Sequence, residues 1–232
     1  YYQPIINLET NEIVGLEALA RLRIGGEMVS VSEYHLALTD PRLACELTGK
    51  MLEQVAQDMR GWLDAGIDFQ HVGVNVTTGD FQRGDLAERI IDIFGWAGVP
   101  LSHIVLEVNE AVFVGGSDRS VPHAVEALRS RGILVALDDF GTGFASLTHL
   151  LSFPVDIIKI DRSFVTKLGV DGPSETVVSG LVDIVKKLGM RIVAEGVEYE
   201  EQATALRRFG CRLGQGYLYS KPVSAAQCTR LL

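Results

Sequence analysis

Seven short apolar runs recur along this chain, and most of them close on an acidic or amide side chain. They fall near 13–22, 72–76, 104–108, 133–138, 155–160, 191–195 and 212–218. Amphipathic helical stretches fill the gaps, at 45–63, 85–94, 122–131, 174–188 and 200–209. Gly189 and Gly210 stand where a left-handed cap would end the last two. Strand then helix, repeated, implies a parallel sheet. Seven or eight such units over 232 residues fit a closed (β/α)8 barrel of TIM type. An open doubly wound sheet is the alternative, weakened because no GxGxxG follows the first run.

The bulk numbers bound the rest. With 47% hydrophobic residues the chain can bury a substantial core, and residues 1–232 read as a single domain. No apolar stretch approaches the ~18 residues of a membrane helix, so no membrane contact is expected of this domain. A net charge of −9 argues against a nucleic-acid polymer as partner. Cys45, Cys211 and Cys228 sit at unrelated spacings, without a CxxC. A cytoplasmic setting is therefore expected. The chain opens at Tyr1, so it is expected to be cut from a larger multidomain protein.

The chemistry collects where the runs end. Glu17, Asn75, Glu107, Asp138, Asp139, Lys159, Asp161, Glu195 and Gln215 all lie at or just beyond such ends. In a barrel these ends share one face, so the side chains would converge there. Two adjacent carboxylates after a buried strand, Asp138 and Asp139, are costly unless cations or protons compensate them. The donors are oxygens, without Cys or His, which suits Mg²⁺ or Mn²⁺ better than zinc. Five carboxylates exceed what one divalent ion neutralises, so two ions bridged by an aspartate are expected. Such pairs favour in-line displacement at phosphorus. Lys159 could orient or deprotonate the attacking water, or stabilise the transition state. Asp161, two residues on, could hold it. Glu17, Leu19 and Arg21 would share a strand face and set Arg21 beside the cluster to grip a phosphate.

Plainer readings exist. Asp138-Asp139 could cap a following helix, Arg21 could form an internal ion pair, and paired carboxylates could serve a glycosidase. Gly141-Thr-Gly143 lacks the Gly-Lys-Ser/Thr of a P-loop and reads as a connecting loop. His35, His71, His103, His123 and His149 show no ligand spacing and are read as non-catalytic.

Together these residues resemble the EAL-domain phosphodiesterases that hydrolyse cyclic di-GMP. The resemblance is carried by Tyr2-Gln-Pro-Ile5, Glu17-Ala-Leu-Ala-Arg21, Asn75-Val, Glu107-Val-Asn-Glu110, Asp138-Asp-Phe-Gly-Thr-Gly143, Lys159-Ile-Asp161, Glu195-Gly-Val-Glu198 and Gln215-Gly-Tyr217 through Pro222. It implies a modified TIM barrel with an antiparallel first strand, and linear pGpG as product. It implies Glu17, Asn75, Glu107 and Asp138 as ligands of a first metal, with Asp138, Asp139 and Glu195 around a second. Lys159 matches the lysine that acts on the water. Gln3, Leu19, Arg21 and Gln215 match substrate contacts. Glu110 matches the glutamate that organises the loop after Asp139, a region linked to homodimer contacts. The resemblance further implies inhibition by Ca²⁺ and sensory or GGDEF-type domains in the full-length chain. A catalytically inactive cyclic di-GMP receptor is the alternative of another class. Asn109 stands where threonine is usual, Ala20 and Leu22 replace bulkier residues, and 24–46 matches the family's lid region loosely.

Overall fold

A computed structural model describes residues 1–30, 39–114, 120–141, 149–151, 153–169 and 172–232. His35, Thr142 and Gly143, the side chain of His149, and residues 31–38 of the segment 24–46 lie outside the described residues.

The strands are β1 (Tyr2–Asn7), β2 (Ile13–Ala18), β3 (Arg21–Ile24), β4 (Glu27–Ser30), β5 (Val72–Val76), β6 (Ile104–Asn109), β7 (Leu134–Phe140), β8 (Ile157–Ile160), β9 (Arg191–Ala194) and β10 (Leu213–Gly214). Eight of them close a barrel in the order β1-β10-β9-β8-β7-β6-β5-β2. Closure removes the open-sheet alternative. β1 runs antiparallel to both β2 and β10, whereas the other seven are mutually parallel.

Among the described residues the α-helices are α1 (Pro41–Asp64), α2 (Thr78–Gln82), α3 (Leu86–Trp96), α4 (Glu110–Val114), α5 (Ser120–Arg129), α6 (Arg162–Val165), α7 (Gly172–Lys187), α8 (Glu200–Phe209) and α9 (Ala225–Cys228). The sequence rules recur at their ends. Asp40 accepts from the Arg42 amide at 2.8 Å, with proline in the first turn of α1. Gly210 closes α8 at φ 78°. α1 buries Ala44, Thr48, Leu52, Val55, Met59 and Trp62, a three-and-four spacing that sets one face on the barrel.

The run expected over 13–22 does not stay one strand. β2 ends at Ala18, and the chain turns into the separate hairpin β3–β4. Gly25 and Gly26, at φ 61° and 93°, form the tip; two successive positive values suit a two-residue hairpin loop.

Inside the barrel, Ile5, Val105, Ala136, Ile157 and Val193 pack as one small apolar cluster, apart from the larger core under the helices. Each stands two residues from a polar side chain at the mouth: Gln3, Glu107, Asp138, Lys159 and Glu195. A period of two keeps both members on the inward face, so an apolar floor carries a polar layer. On β2 and β5 the corresponding floor positions are Gly15 and Gly73. The His71 ring fills the space beside Gly15, and the Glu107 carboxylate fills that beside Gly73. Burial pushes the His71 ring down to about 4, with Arg191 and His103 adding in the same direction.

Candidate active site

Every parallel strand delivers its polar residue to the mouth at its C-terminal end, and antiparallel β1 delivers Gln3 from its start. Gln3 pairs in register with Glu17, and Asn75 with Glu107. β7 departs from regular pleating here. Leu137 opposes Ile158 and Phe140 opposes Ile160, so Asp138 and Asp139 together oppose Lys159 alone. This is a β-bulge, and Asp139 takes it up at φ 54°. Neighbours on a regular strand would point to opposite faces; the bulge lets both aspartates address the mouth. Aspartate tolerates the left-handed region better than most residues.

Lys159 is almost completely buried and carries the one ammonium in this cluster. Its Nζ lies 2.7 Å from Glu107 Oε2, 2.7 Å from Glu195 Oε1, 3.1 Å from Asp138 Oδ1 and 3.2 Å from Glu17 Oε2. The Asn75 amide donates to Glu17 Oε1 at 3.0 Å and Glu107 Oε2 at 3.4 Å. The Gln215 amide donates to Glu17 Oε2 at 2.7 Å and Gln3 Oε1 at 3.2 Å. Burial opposes the charge on Lys159, but Asp138, Glu107, Glu17 and Glu195 outweigh it and hold the group protonated far above the usual lysine range. Lys159 is thus a hydrogen-bond donor at the centre of the mouth.

One ammonium cannot serve five carboxylates. Burial, then the neighbouring Glu17, pushes Glu107 well above the usual carboxylate range. Burial and Asp138 outweigh the Lys159 ammonium at Glu195 and push it up to about 8. Asp139, exposed at the rim, still rises to about 6 through lost hydration and the Asp138 charge. Burial would also raise Glu17, but Lys159 and the Gln215 and Asn75 amides keep it low.

Donor atoms of Glu17, Glu107 and Asp138 lie within 4.8 Å of one another, and so do those of Asp138, Asp139 and Glu195. The triads share Asp138. The fit to a pair of hard divalent cations is good: the donors are oxygens, the carboxylate charge exceeds the ammonium, and Gln215 Oε1 is buried without a hydrogen-bond partner. Asp138 Oδ1 also lacks one, since it faces Nζ at 3.1 Å but off the hydrogen-bonding angle.

The mouth opens into a cavity of about 670 Å³ whose wall includes Gln3, Leu19, Asp161, Gln215 and Tyr217. Two expectations are corrected. Arg21 does not share a strand face with Glu17, because β2 stops at Ala18. It lines a neighbouring depression of about 420 Å³, and its Nη1 donates to the Ala20 carbonyl at 2.7 Å. Asp161 does not hold Lys159, because β8 stops at Ile160; its carboxylate accepts from the Ser163 amide at 2.9 Å and caps α6. Glu110 is buried at the start of α4, and its Oε1 accepts from the Gly141 amide at 2.8 Å. Asn109 Oδ1 accepts from the Val112 amide at 3.3 Å, as a helix-capping side chain does.

Sequence reasoning passed over Thr77, Arg162 and Tyr217, which also line the cavity. Thr77 had a signal: with Asp80 it makes a capping box, and Asp80 also accepts from Thr48 of α1 at 2.9 Å. Arg162 had none beyond following Asp161. Among the described residues no helix is long and apolar enough to cross a membrane.

A closed barrel with one antiparallel strand and an oxygen-rich mouth defines a class, and a family model for the EAL domain matches residues 1–222. The chain belongs to the EAL domain family. Cyclic di-GMP phosphodiesterase NbdA of Pseudomonas aeruginosa is 31% identical over 233 residues, covering 100% of this chain and 30% of that protein. Bifunctional diguanylate cyclase/cyclic di-GMP phosphodiesterase MucR of the same organism is 32% identical over 228 residues, 98% of this chain and 33% of that protein. The chain spans about a third of the length of these relatives. The solved PaMucR phosphodiesterase in complex with c-di-GMP superposes with a TM-score of 0.90 at 31% identity, covering 98% of this chain and 92% of that one. A manganese and cyclic di-GMP complex of Klebsiella pneumoniae BlrP1 gives 0.81 at 28% identity over 95% of this chain and 55% of that one.

Proposed function

We propose that this chain hydrolyses cyclic di-GMP to linear pGpG with two divalent cations. One observation carries the reading: two carboxylate triads share Asp138 at the mouth of a cavity large enough for a nucleotide. Glu17, Asn75, Glu107 and Asp138 would hold one Mg²⁺ or Mn²⁺, and Asp138, Asp139 and Glu195 the other. The ions would lower the pKa of a water and neutralise charge on the phosphoryl oxygens. Gln3, Leu19 and Gln215 on the cavity wall would seat the substrate.

Lys159 would orient the attacking water through an N–H and stabilise charge gathering at phosphorus. Glu195, 2.7 Å from the same ammonium, would accept the water proton. The water oxygen would bond to phosphorus as the P–O3′ bond breaks in line, and the 3′ oxygen would leave as a hydroxyl, taking its proton from solvent. Glu110 would act through the Gly141 amide, holding the turn that presents Asp139. We further propose a cytoplasmic homodimer, and control by cyclase-type or sensory partner domains, for which the names of the bifunctional diguanylate cyclase MucR and the oxygen sensor protein DosP of Escherichia coli speak.

The test is product analysis by anion-exchange chromatography with Mg²⁺, Mn²⁺, Ca²⁺ or chelator. The expected outcome is pGpG with Mg²⁺ or Mn²⁺ and none with Ca²⁺ or chelator. Folded protein that binds cyclic di-GMP in Mg²⁺ yet leaves it intact would overturn the hydrolase reading in favour of a receptor.

A further inference from the structure

The carboxylates that would take the ions are already engaged by nitrogen donors. Lys159 Nζ reaches an oxygen of Glu17, Glu107, Asp138 and Glu195, none farther than 3.2 Å. Those four side chains come from both triads. Glu17 has neither oxygen unengaged: Oε1 accepts from Asn75 at 3.0 Å and Oε2 from Gln215 at 2.7 Å. The Asn75 amide presents its nitrogen to Glu17 and Glu107, and a cation would need its oxygen instead.

We propose that Lys159 is a built-in competitor for the divalent cation, a tethered ammonium that divalent ions must work against to load the site. The inference rests on reading this cluster as a divalent-ion site. The physical reason is Coulombic. A positive charge near 3 Å from one oxygen of each carboxylate repels an incoming dication, and a buried location screens that repulsion poorly. The ammonium itself has to make way among the four carboxylates it contacts. It has to swing off some of them, as the Asn75 amide has to turn. Occupancy would then be reversible and would follow the free Mg²⁺ concentration, where an unopposed set of five carboxylates would hold its ions tightly.

The test is direct counting of free Mn²⁺ by electron paramagnetic resonance during titration of the purified chain at fixed pH. Wild type is compared with Lys159→Met and Lys159→Gln, with folding checked by circular dichroism. Both neutral variants should bind Mn²⁺ at least about 10-fold more tightly, and Lys159→Arg, which keeps the charge, should not. Neutral variants that bind no more tightly than a Mn²⁺-binding wild type would overturn the competitor role and leave the metal site standing. Absence of binding by every folded protein would overturn both. If the neutral variants do not fold, the ¹⁵Nζ resonance of Lys159 in the wild-type chain decides. It should shift on saturation with Mg²⁺, and an unmoved resonance would refute the proposal.

Discussion

The Glu107 carboxylate lies where a side chain at residue 73 would be, so Gly73 is the floor on which Glu107 rests. The two residues belong to adjacent parallel strands, with Gly73 opposite Val105 in register. A methyl group at 73 would meet Glu107 Oε1 head on. Gly73→Ala should therefore turn Glu107 out of both the Lys159 contact and the donor set. Overpacking of this kind costs about 1–3 kcal/mol. Denaturant titration should show a loss in that range, and hydrolysis of cyclic di-GMP should fall at least about 10-fold.

Glu17 tests the donor set from β2, two strands along the barrel from Glu107. Glu17→Gln keeps the shape and the hydrogen-bonding reach but removes the charge. Turnover should fall by more than about 100-fold, beyond the roughly 10–100-fold lost when a group merely supporting a metal ligand is changed. Mn²⁺ affinity, read by the same resonance titration, should weaken with it. Full activity in this variant would remove Glu17 from the metal set.

Asp139 separates backbone from chemistry. Its φ of 54° is tolerated by asparagine and resisted by alanine. Asp139→Asn should keep the melting temperature and lose activity. Asp139→Ala should lose activity and, in addition, about 1 kcal/mol of stability. Equal melting temperatures for the two variants would argue against a strained bulge.

Glu110 should behave as a positioning residue. In Glu110→Ala the exposed Gly141 amide loses its acceptor to water, at a cost of about 0.5–1.5 kcal/mol. Activity should drop at least about 10-fold, mainly in kcat if the turn after Asp139 is disturbed. Glu110→Gln keeps an accepting oxygen and should recover part of both. Failure of glutamine to recover any activity would point to the charge rather than the hydrogen bond.

His71 sets an acid limit on stability. Its folded pKa is depressed to about 4 from 6.5, so the folded state refuses a proton that the unfolded chain accepts. The corresponding stability is fully present above pH 6.5 and is lost as pH falls toward 4. The full loss is about 3 kcal/mol, because each tenfold difference in proton affinity between the two states is worth about 1.36 kcal/mol. His71→Phe keeps a ring beside Gly15 and removes the titration. Chemical denaturation at pH 7 and pH 4.5 should show a steeper loss in wild type than in the variant.

The barrel and most of its polar mouth were legible because each rests on local pattern. The runs at 72–76, 104–108, 133–138, 155–160 and 191–195 are strands whose ends agree within two residues. β1 had no such legible run, and its antiparallel direction came from family resemblance. Alternation past Ala18 would put Arg21 on the face of Glu17, but the Gly25-Gly26 turn folds Arg21–Ile24 into a separate hairpin. Asp161 departs from alternation for a related reason: Ser163 offers an amide two residues on, and a short helix begins there.

Sequence alone determined which residues could meet at the mouth. Val105 precedes Glu107, Ala136 precedes Asp138, Ile157 precedes Lys159 and Val193 precedes Glu195, each by two, and the period of a strand puts both members of every pair on one face. The tertiary structure decided how they meet. One ammonium shared by four carboxylates, a bulge that sets two aspartates against one lysine, and a glycine that makes room for a glutamate are relations between strands far apart in the chain. They depend on register, closure and charge acting through space, and a linear pattern carries none of these.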